Sequence, residues 1–178
     1  GATRVLPSEH AGDSHRMFVQ AHTLAAFTSL EAGRLDEAYA HLADARDWPE
    51  HLGQGRPYDP EERLLRFLMG RIDERRGRLA EAREHFDAVV RSSTADSAPL
   101  DRLDLLGIPA LRSLGLGDEV AHTILARAVD TNTDAGVRLV AGALGSDAAI
   151  DSIAPLHPNQ FGDLDGALLV RALSLPGR

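Results

Sequence analysis

Residues 64–90 read LLRFLMGRIDERRGRLAEAREHFDAVV, and residues 21–45 read AHTLAAFTSLEAGRLDEAYAHLADA. The two stretches align when Gly33 is placed on Gly77, because each then continues as Gly-Arg-Leu-x-Glu-Ala. Glycine readily takes the positive φ that ends a helix, so each stretch is predicted to hold a helix, a tight turn and a second helix. The repeat therefore predicts two helical hairpins within residues 15–92.

The residues that follow each turn are spaced for close packing of two helices. Ala38 and Ala82 are small at the point where the paired helices are expected to cross. Leu42 and Phe86 lie four residues later, on the same helix face, where they can fill the gap between the helices. Gly70, seven residues before the second turn, is a further small residue at the predicted crossing.

The pattern Gly-x-Leu-x-Glu-Ala-x-x-x-[Leu/Phe] resembles the tetratricopeptide repeat (TPR). The resemblance implies an antiparallel array of helices of the α-α superhelix type. The two turns lie 44 residues apart, against about 34 in that family, and the additional residues fall in the segment between the hairpins. Residues 114–130 are a candidate for a third, eroded hairpin, although Arg127 stands where a small core residue is expected. Pro109 is expected to break the helix before it.

Composition also favours helices. The chain is 43% hydrophobic but only 4% aromatic, and small aliphatic residues dominate, which suits closely packed helices better than a sheet. We therefore predict a single all-α domain over residues 1–178, in which residues 93–178 form degenerate helical repeats and capping helices. The turn signals in that half predict helices at 100–107, 118–130, 134–144, 146–153 and 163–174.

The last predicted helix carries the sequence LDGALLVRALSL, which is apolar on more than one face. The end of a helical array that faces water should be polar. The segment is therefore expected either to pack back on its own domain or to form an interface with another chain, which includes self-association.

Several functional classes are excluded by missing residue types. The chain contains neither lysine nor cysteine, so it has no lysine for a P-loop or a Schiff base and no thiolate for catalysis or zinc. Its net charge of −8 argues against nucleic-acid binding. No apolar run is long enough for a membrane span, and no signal peptide is recognised. A cytoplasmic protein is expected.

Residues 47–60, DWPEHLGQGRPYDP, contain a Gly-x-Gly motif between two predicted helices. A phosphate-binding loop follows a strand, so this segment is interpreted as an inter-repeat loop that ends in the helix cap Asp59-Pro60. It also resembles a segment of large bacterial TPR proteins that carry a carbohydrate-enzyme-like β domain. That resemblance implies, as an alternative, a helical accessory part of a larger enzyme with catalysis outside this chain. Its candidate contact residues are Trp48, Arg56 and Tyr58.

No catalytic, metal or cofactor site is predicted. The eight histidines include no H-E-x-x-H motif, and no carboxylate in the sequence pattern completes a site with His15 and His22, which share one face of a helix. The carboxylate pairs Glu61-Glu62 and Asp73-Glu74 are interpreted as solvent-exposed helix residues.

The TPR resemblance implies a non-enzymatic module that binds a protein or an extended peptide in a groove. It places the groove residues at Gln20, Thr23, Phe27, Glu31, Leu64, Phe67, Arg71, Glu74 and Arg75. Arg71 and Arg75 lie one turn apart, so both are expected to reach a single carboxylate of the peptide. The alternative for this arginine-rich stretch is an exposed surface stabilised by ion pairs within the helix.

Overall fold

The protein is described by a computed structural model that covers most of both halves of the chain. The described residues are 9–47, 60–94, 100–116, 118–127, 134, 137, 141, 144 and 162–177. These residues form helices, and none of them lies in a strand, which confirms the predicted all-α class. The chain divides into two compact units, residues 1–62 and 63–178. Each unit is described by itself.

The first unit is a helical hairpin of α1 (Glu9–Glu31) and α2 (Leu35–Ala45). α1 ends at Gly33, which has φ of 74°. There the Arg34 amide donates to the Ser29 carbonyl at 2.8 Å and the Gly33 amide donates to the Leu30 carbonyl at 3.1 Å. These two bonds form a Schellman motif, which satisfies the last carbonyls of α1 and reverses the chain.

The second unit begins with an equivalent hairpin of α3 (Arg63–Arg76) and α4 (Leu79–Ser93). Gly77 has φ of 75°. The Arg78 amide donates to the Asp73 carbonyl at 2.9 Å, and the Gly77 amide donates to the Glu74 carbonyl at 3.1 Å. Both predicted turns are confirmed, and the two hairpins close with the same hydrogen bonds.

A third hairpin follows a 3-10 helix at Leu103–Leu106 and consists of α5 (Gly107–Ser113) and α6 (Asp118–Arg127). Its turn repeats the Schellman motif at Gly115, which has φ of 66°. The expectation that Pro109 breaks the preceding helix is wrong. Pro109 lies in the first turn of α5, where a helix needs no amide hydrogen and the fixed φ of proline fits.

In each hairpin the residue nine positions after the turn glycine is almost fully buried: Leu42, Phe86 and Ile124. A Cβ atom added to Gly70 would lie 2.7 Å from Phe86 Cε1, and one added to Gly107 would lie 2.7 Å from Ile124 Cδ1. The second and third hairpins therefore repeat one packing device, in which a large side chain on the second helix lies against a glycine of the first.

The C-terminal helix, α7 (Leu164–Leu173), packs against α3. Its N-cap is Asp163, whose carboxylate accepts a hydrogen bond from the Gly166 amide at 2.6 Å. The same carboxylate forms an ion pair with Arg102 at 2.9 Å. Leu168, Leu169, Val170, Ala172 and Leu173 are buried. The prediction of a terminal helix that packs back on its own domain is confirmed.

Between α6 and α7 the structure describes three apolar residues, Val137, Ala141 and Leu144, which are helical and buried. Their spacing of four and three residues puts them on one helix face, in agreement with the predicted helix 134–144. The Leu144 carbonyl accepts a hydrogen bond from Arg112 at 2.8 Å, which ties this segment to α5. The predicted helix 146–153 lies outside the described residues. No helix among the described residues is long and apolar enough to cross a membrane.

Candidate functional site

The groove candidates on α1 divide into buried and accessible residues. Thr23 and Phe27 are each 1% exposed. The Thr23 hydroxyl donates to the Val19 carbonyl at 2.7 Å, so its polar group is used within the helix. Gln20 is half-buried and Glu31 is exposed. Only these last two present a polar side chain to solvent.

The candidates on α3 divide in the same way. Phe67, Arg71 and Glu74 are buried, Leu64 is half-buried and Arg75 is exposed. The structure therefore does not bring Arg71 and Arg75 to one open surface. The prediction that both guanidinium groups reach the same peptide carboxylate does not fit this arrangement.

The guanidinium group of Arg71 is held from several sides within the second unit. Its Nη1 atom donates to Glu74 Oε2 at 2.9 Å and to Ser113 Oγ at 2.7 Å. Its Cζ atom lies 5.0 Å from the ring centre of Phe67 and 5.5 Å from that of Phe86, which are cation–π distances. Arg71 is thus a structural centre that joins α3, α4 and α5.

The C-terminal segment covers the same arginine. A Cβ atom built on Gly177 would lie 2.9 Å from Arg71 Nη1, and α7 contacts α3. The helix face on which the TPR resemblance places the groove is therefore occupied, near Arg71, by a later part of the same chain. The apolar character of the terminal helix was visible in the sequence, but its docking position was not.

The interpretation of Asp73-Glu74 as solvent-exposed carboxylates is wrong, because both residues are buried. Asp73 Oδ1 lies 3.4 Å from Arg76 Nη1, and its Oδ2 lies 3.7 Å from Nε2 of His85 on α4. The Asp73–His85 contact spans α3 and α4, but its 3.7 Å is too long for a hydrogen bond. An ion pair within the arginine-rich stretch is present between Asp73 and Arg76, but the exposed surface that this alternative expected is not found at Asp73 and Glu74.

One residue of the Glu61-Glu62 pair is exposed to solvent and the other is buried. Glu61 is exposed, whereas Glu62 is 8% exposed and its Oε2 atom lies 2.9 Å from Arg46 Nη2. Glu62 therefore pairs with the C-cap residue of α2 inside the first unit.

A third charged cluster, which the sequence did not predict, surrounds the start of the 3-10 helix. Arg63 donates to Asp104 Oδ1 at 2.7 Å and to Asp101 Oδ2 at 2.7 Å. Arg127 donates to the Ser93 carbonyl at 2.9 Å and lies 3.5 Å from Asp104 Oδ2. Arg127, which the sequence placed at a small-residue position, therefore has a defined structural role in the second unit.

The two carboxylates of this cluster differ in protonation behaviour. Burial raises the pKa of Asp104, and the neighbouring charge of Asp101 adds to that effect, while Arg63 and Arg127 oppose it. Burial also acts to raise the pKa of Asp101, but hydrogen bonds and the charge of Arg63 outweigh it and lower that pKa overall. The pKa shifts are opposite because Asp101 accepts hydrogen bonds from Arg63 and from two backbone amides, whereas Asp104 lies beside the negative charge of Asp101.

The first unit contains a cluster of a different kind between α1 and α2. His22 on α1 meets His41 and Asp44 on α2, and one potential ligand atom from each lies within 4.8 Å of the others. The sequence pattern offered no carboxylate for His22. The hairpin supplies Asp44, because His22 lies eleven residues before Gly33 and Asp44 lies eleven residues after it.

The candidate contact residues of the inter-repeat loop, Trp48, Arg56 and Tyr58, lie outside the described residues. Comparison of the chain with protein-family models, with curated proteins and with solved structures found no match.

Proposed function

We propose that this chain is a non-enzymatic scaffold module that binds a protein or peptide partner through its helical hairpins. The observation that supports the proposal is that the same hairpin occurs three times. In each, the first helix ends in a Schellman turn at a glycine, and the second helix buries a large apolar residue nine positions after that glycine. Repeated hairpins of this kind expose successive helix faces to a partner. A cytoplasmic location is part of the proposal and is tested by cell fractionation.

The charged clusters support a scaffold role more than a catalytic one. Arg71 is bonded to Glu74 and Ser113, and Asp104 is bonded to Arg63. Each of these groups is buried against its own partner and joins elements of the fold. A catalytic group needs a free position for substrate.

The partner is proposed to bind the second unit at Arg75, which offers an exposed cation at the C-terminal end of α3. In the first unit, Gln20 and Glu31 on α1 are a separate candidate surface with polar side chains. Among the described residues, Arg75 has no ion-pair partner within 4.0 Å. An exposed arginine without an ion-pair partner among the described residues suits a carboxylate of the partner.

The test selects binders from a displayed library of random peptides and measures the dissociation constant of the best peptide by fluorescence anisotropy. Arg75→Ala is expected to weaken binding about fivefold, which corresponds to the loss of about 1 kcal/mol from an exposed charge contact. Arg83→Ala is the matched control, since Arg83 is exposed on α4 and is not a groove candidate. Failure to select any peptide would contradict the scaffold proposal, and equal losses in both variants would move the site away from α3.

A further inference from the structure

The cluster of His22, His41 and Asp44 has the composition of a metal site. Two imidazoles and one carboxylate are a common ligand set for zinc and other divalent transition metals, whereas calcium and magnesium prefer oxygen ligands alone. His22 Nδ1 lies 3.9 Å from Asp44 Oδ2. The ring centres of His22 and His41 are 5.7 Å apart, with an angle of 58° between the ring planes.

The distances suit a metal ion after a small adjustment of side chains. The ligand atoms lie within 4.8 Å of one another. Two ligands on a tetrahedral zinc ion, each about 2.1 Å from the metal, are separated by about 3.4 Å. The required closure is at most about 1.4 Å and can come from rotation of side chains, because Asp44 is 58% exposed and is free to move toward the imidazoles.

His22 carries an atom that the fold leaves unsatisfied. Its Nδ1 atom is buried and forms no hydrogen bond with any residue that the structure describes, because the 3.9 Å separation from Asp44 is too long for one. A buried polar atom without a partner is unfavourable. Coordination to a metal ion would satisfy it.

An aromatic ring packs against one imidazole of the cluster, and a carboxylate lies near the other. The Phe18 ring packs on the His22 ring with centres 4.5 Å apart, which limits rotation of that imidazole. Glu37 Oε1 lies 4.0 Å from His41 Nε2, which is too long for a hydrogen bond. Glu37 is itself hydrogen-bonded to Arg34, which lowers the pKa of its carboxyl group.

We propose that His22, His41 and Asp44 bind one divalent transition metal ion, with zinc as the best fit. His22 comes from the middle of α1 and the other two ligands from the C-terminal part of α2, so the ion joins the two helices of the first hairpin. The three protein ligands leave a fourth tetrahedral position for water. This proposal does not rest on the proposed binding of a protein or peptide partner.

The test is isothermal titration of the untagged full chain with zinc chloride, with magnesium chloride as a second titrant. We expect one zinc ion per chain, a dissociation constant of about 10 μM or tighter, and no binding of magnesium. His22→Ala and His41→Ala should each weaken zinc binding at least about tenfold. His122→Ala is the matched control, since His122 is an exposed histidine on α6 in the second unit, and it should leave the affinity unchanged.

The absorption spectrum of bound cobalt provides a second measurement of the site, which does not depend on the stability of the fold. Co²⁺ added to the wild-type chain is expected to give visible absorption bands of a low-coordinate site, and these should disappear in Asp44→Asn, whose exposed position makes it tolerant of substitution. Circular dichroism of each variant verifies that the helices remain. Zinc binding weaker than about 1 mM, or affinity that is unchanged in His22→Ala and His41→Ala, would overturn the proposal.

Discussion

The packing of Phe86 against Gly70 makes a quantitative prediction for Gly70→Ala. On an open helix surface this substitution stabilises a protein by about 1 kcal/mol, because alanine is the better helix former. Here the new Cβ atom would lie 2.7, 2.9 and 3.0 Å from three atoms of the Phe86 ring, whereas carbon atoms in contact are normally about 3.5–4.0 Å apart. The ring must therefore move by about 0.5–1 Å.

The surroundings of Phe86 oppose that movement. The side chain is 1% exposed, its ring centre lies 5.9 Å from that of Phe67, and the guanidinium of Arg71 lies 5.5 Å from it. Overpacking of this kind costs about 1–3 kcal/mol. After the gain of about 1 kcal/mol in helix propensity is subtracted, Gly70→Ala is expected to destabilise the second unit by up to about 2 kcal/mol.

The assay is urea denaturation followed by circular dichroism at 222 nm, on Gly70→Ala, Phe86→Leu and the double variant. The first hairpin already uses the pair Ala26 and Leu42 at these positions, so the double variant should be more stable than the sum of the single changes predicts, by about 1 kcal/mol or more. Gly33→Ala is the control for a pure backbone effect, because φ there is +74° and no atom lies within 4 Å of the added Cβ. A Gly70→Ala variant that is about 1 kcal/mol more stable than wild type would refute the reasoning.

Two further predictions concern the charged clusters of the second unit. Arg71→Met leaves the buried Glu74 carboxylate without its cation and should lower the free energy of unfolding in urea by about 3 kcal/mol. The double variant Arg71→Met/Glu74→Leu should recover part of that loss. A loss below about 1 kcal/mol in Arg71→Met would argue against a buried pair. Asp101, whose pKa is lowered in the fold, contributes stability that is present above its ordinary pKa of 3.8 and is lost as pH falls through the folded value. The melting-temperature difference between wild type and Asp101→Asn should therefore shrink between about pH 5 and about pH 3, and a constant difference would contradict the assigned role of Arg63.

The helices and the first two turns were predictable because their signals are local. A glycine that takes positive φ, a small residue and a large apolar residue at fixed distances specify each hairpin without knowledge of the rest of the chain. In the third hairpin, Gly107 precedes its turn glycine by eight residues, whereas Gly70 precedes Gly77 by seven. That shift of one residue concealed the match, and Ile124 as the packing residue was missed with it.

The candidate sites were less predictable, because they depend on which helix faces become buried. The spacing of three residues between Arg71 and Glu74 is compatible with an exposed helix and with a buried one. It therefore does not predict that α7 covers this part of α3. To predict the cluster of His22, His41 and Asp44 from the sequence, one must know how the two antiparallel helices α1 and α2 align. His22 and Asp44 lie at equal sequence separations from Gly33. That symmetry indicates that they face each other, but only if α1 and α2 are treated as antiparallel partners.

The glycine-to-large-residue contact within the hairpins has a consequence for the evolution of this sequence. Gly70 and Phe86 are sixteen positions apart, and Gly107 and Ile124 are seventeen, yet each pair shares one small volume. Among related sequences the two positions of a pair should vary jointly, with alanine or serine at the first accompanied by a shorter side chain at the second. Such joint variation would mark the hairpins of distant relatives even where the Gly-Arg-Leu turn had been lost.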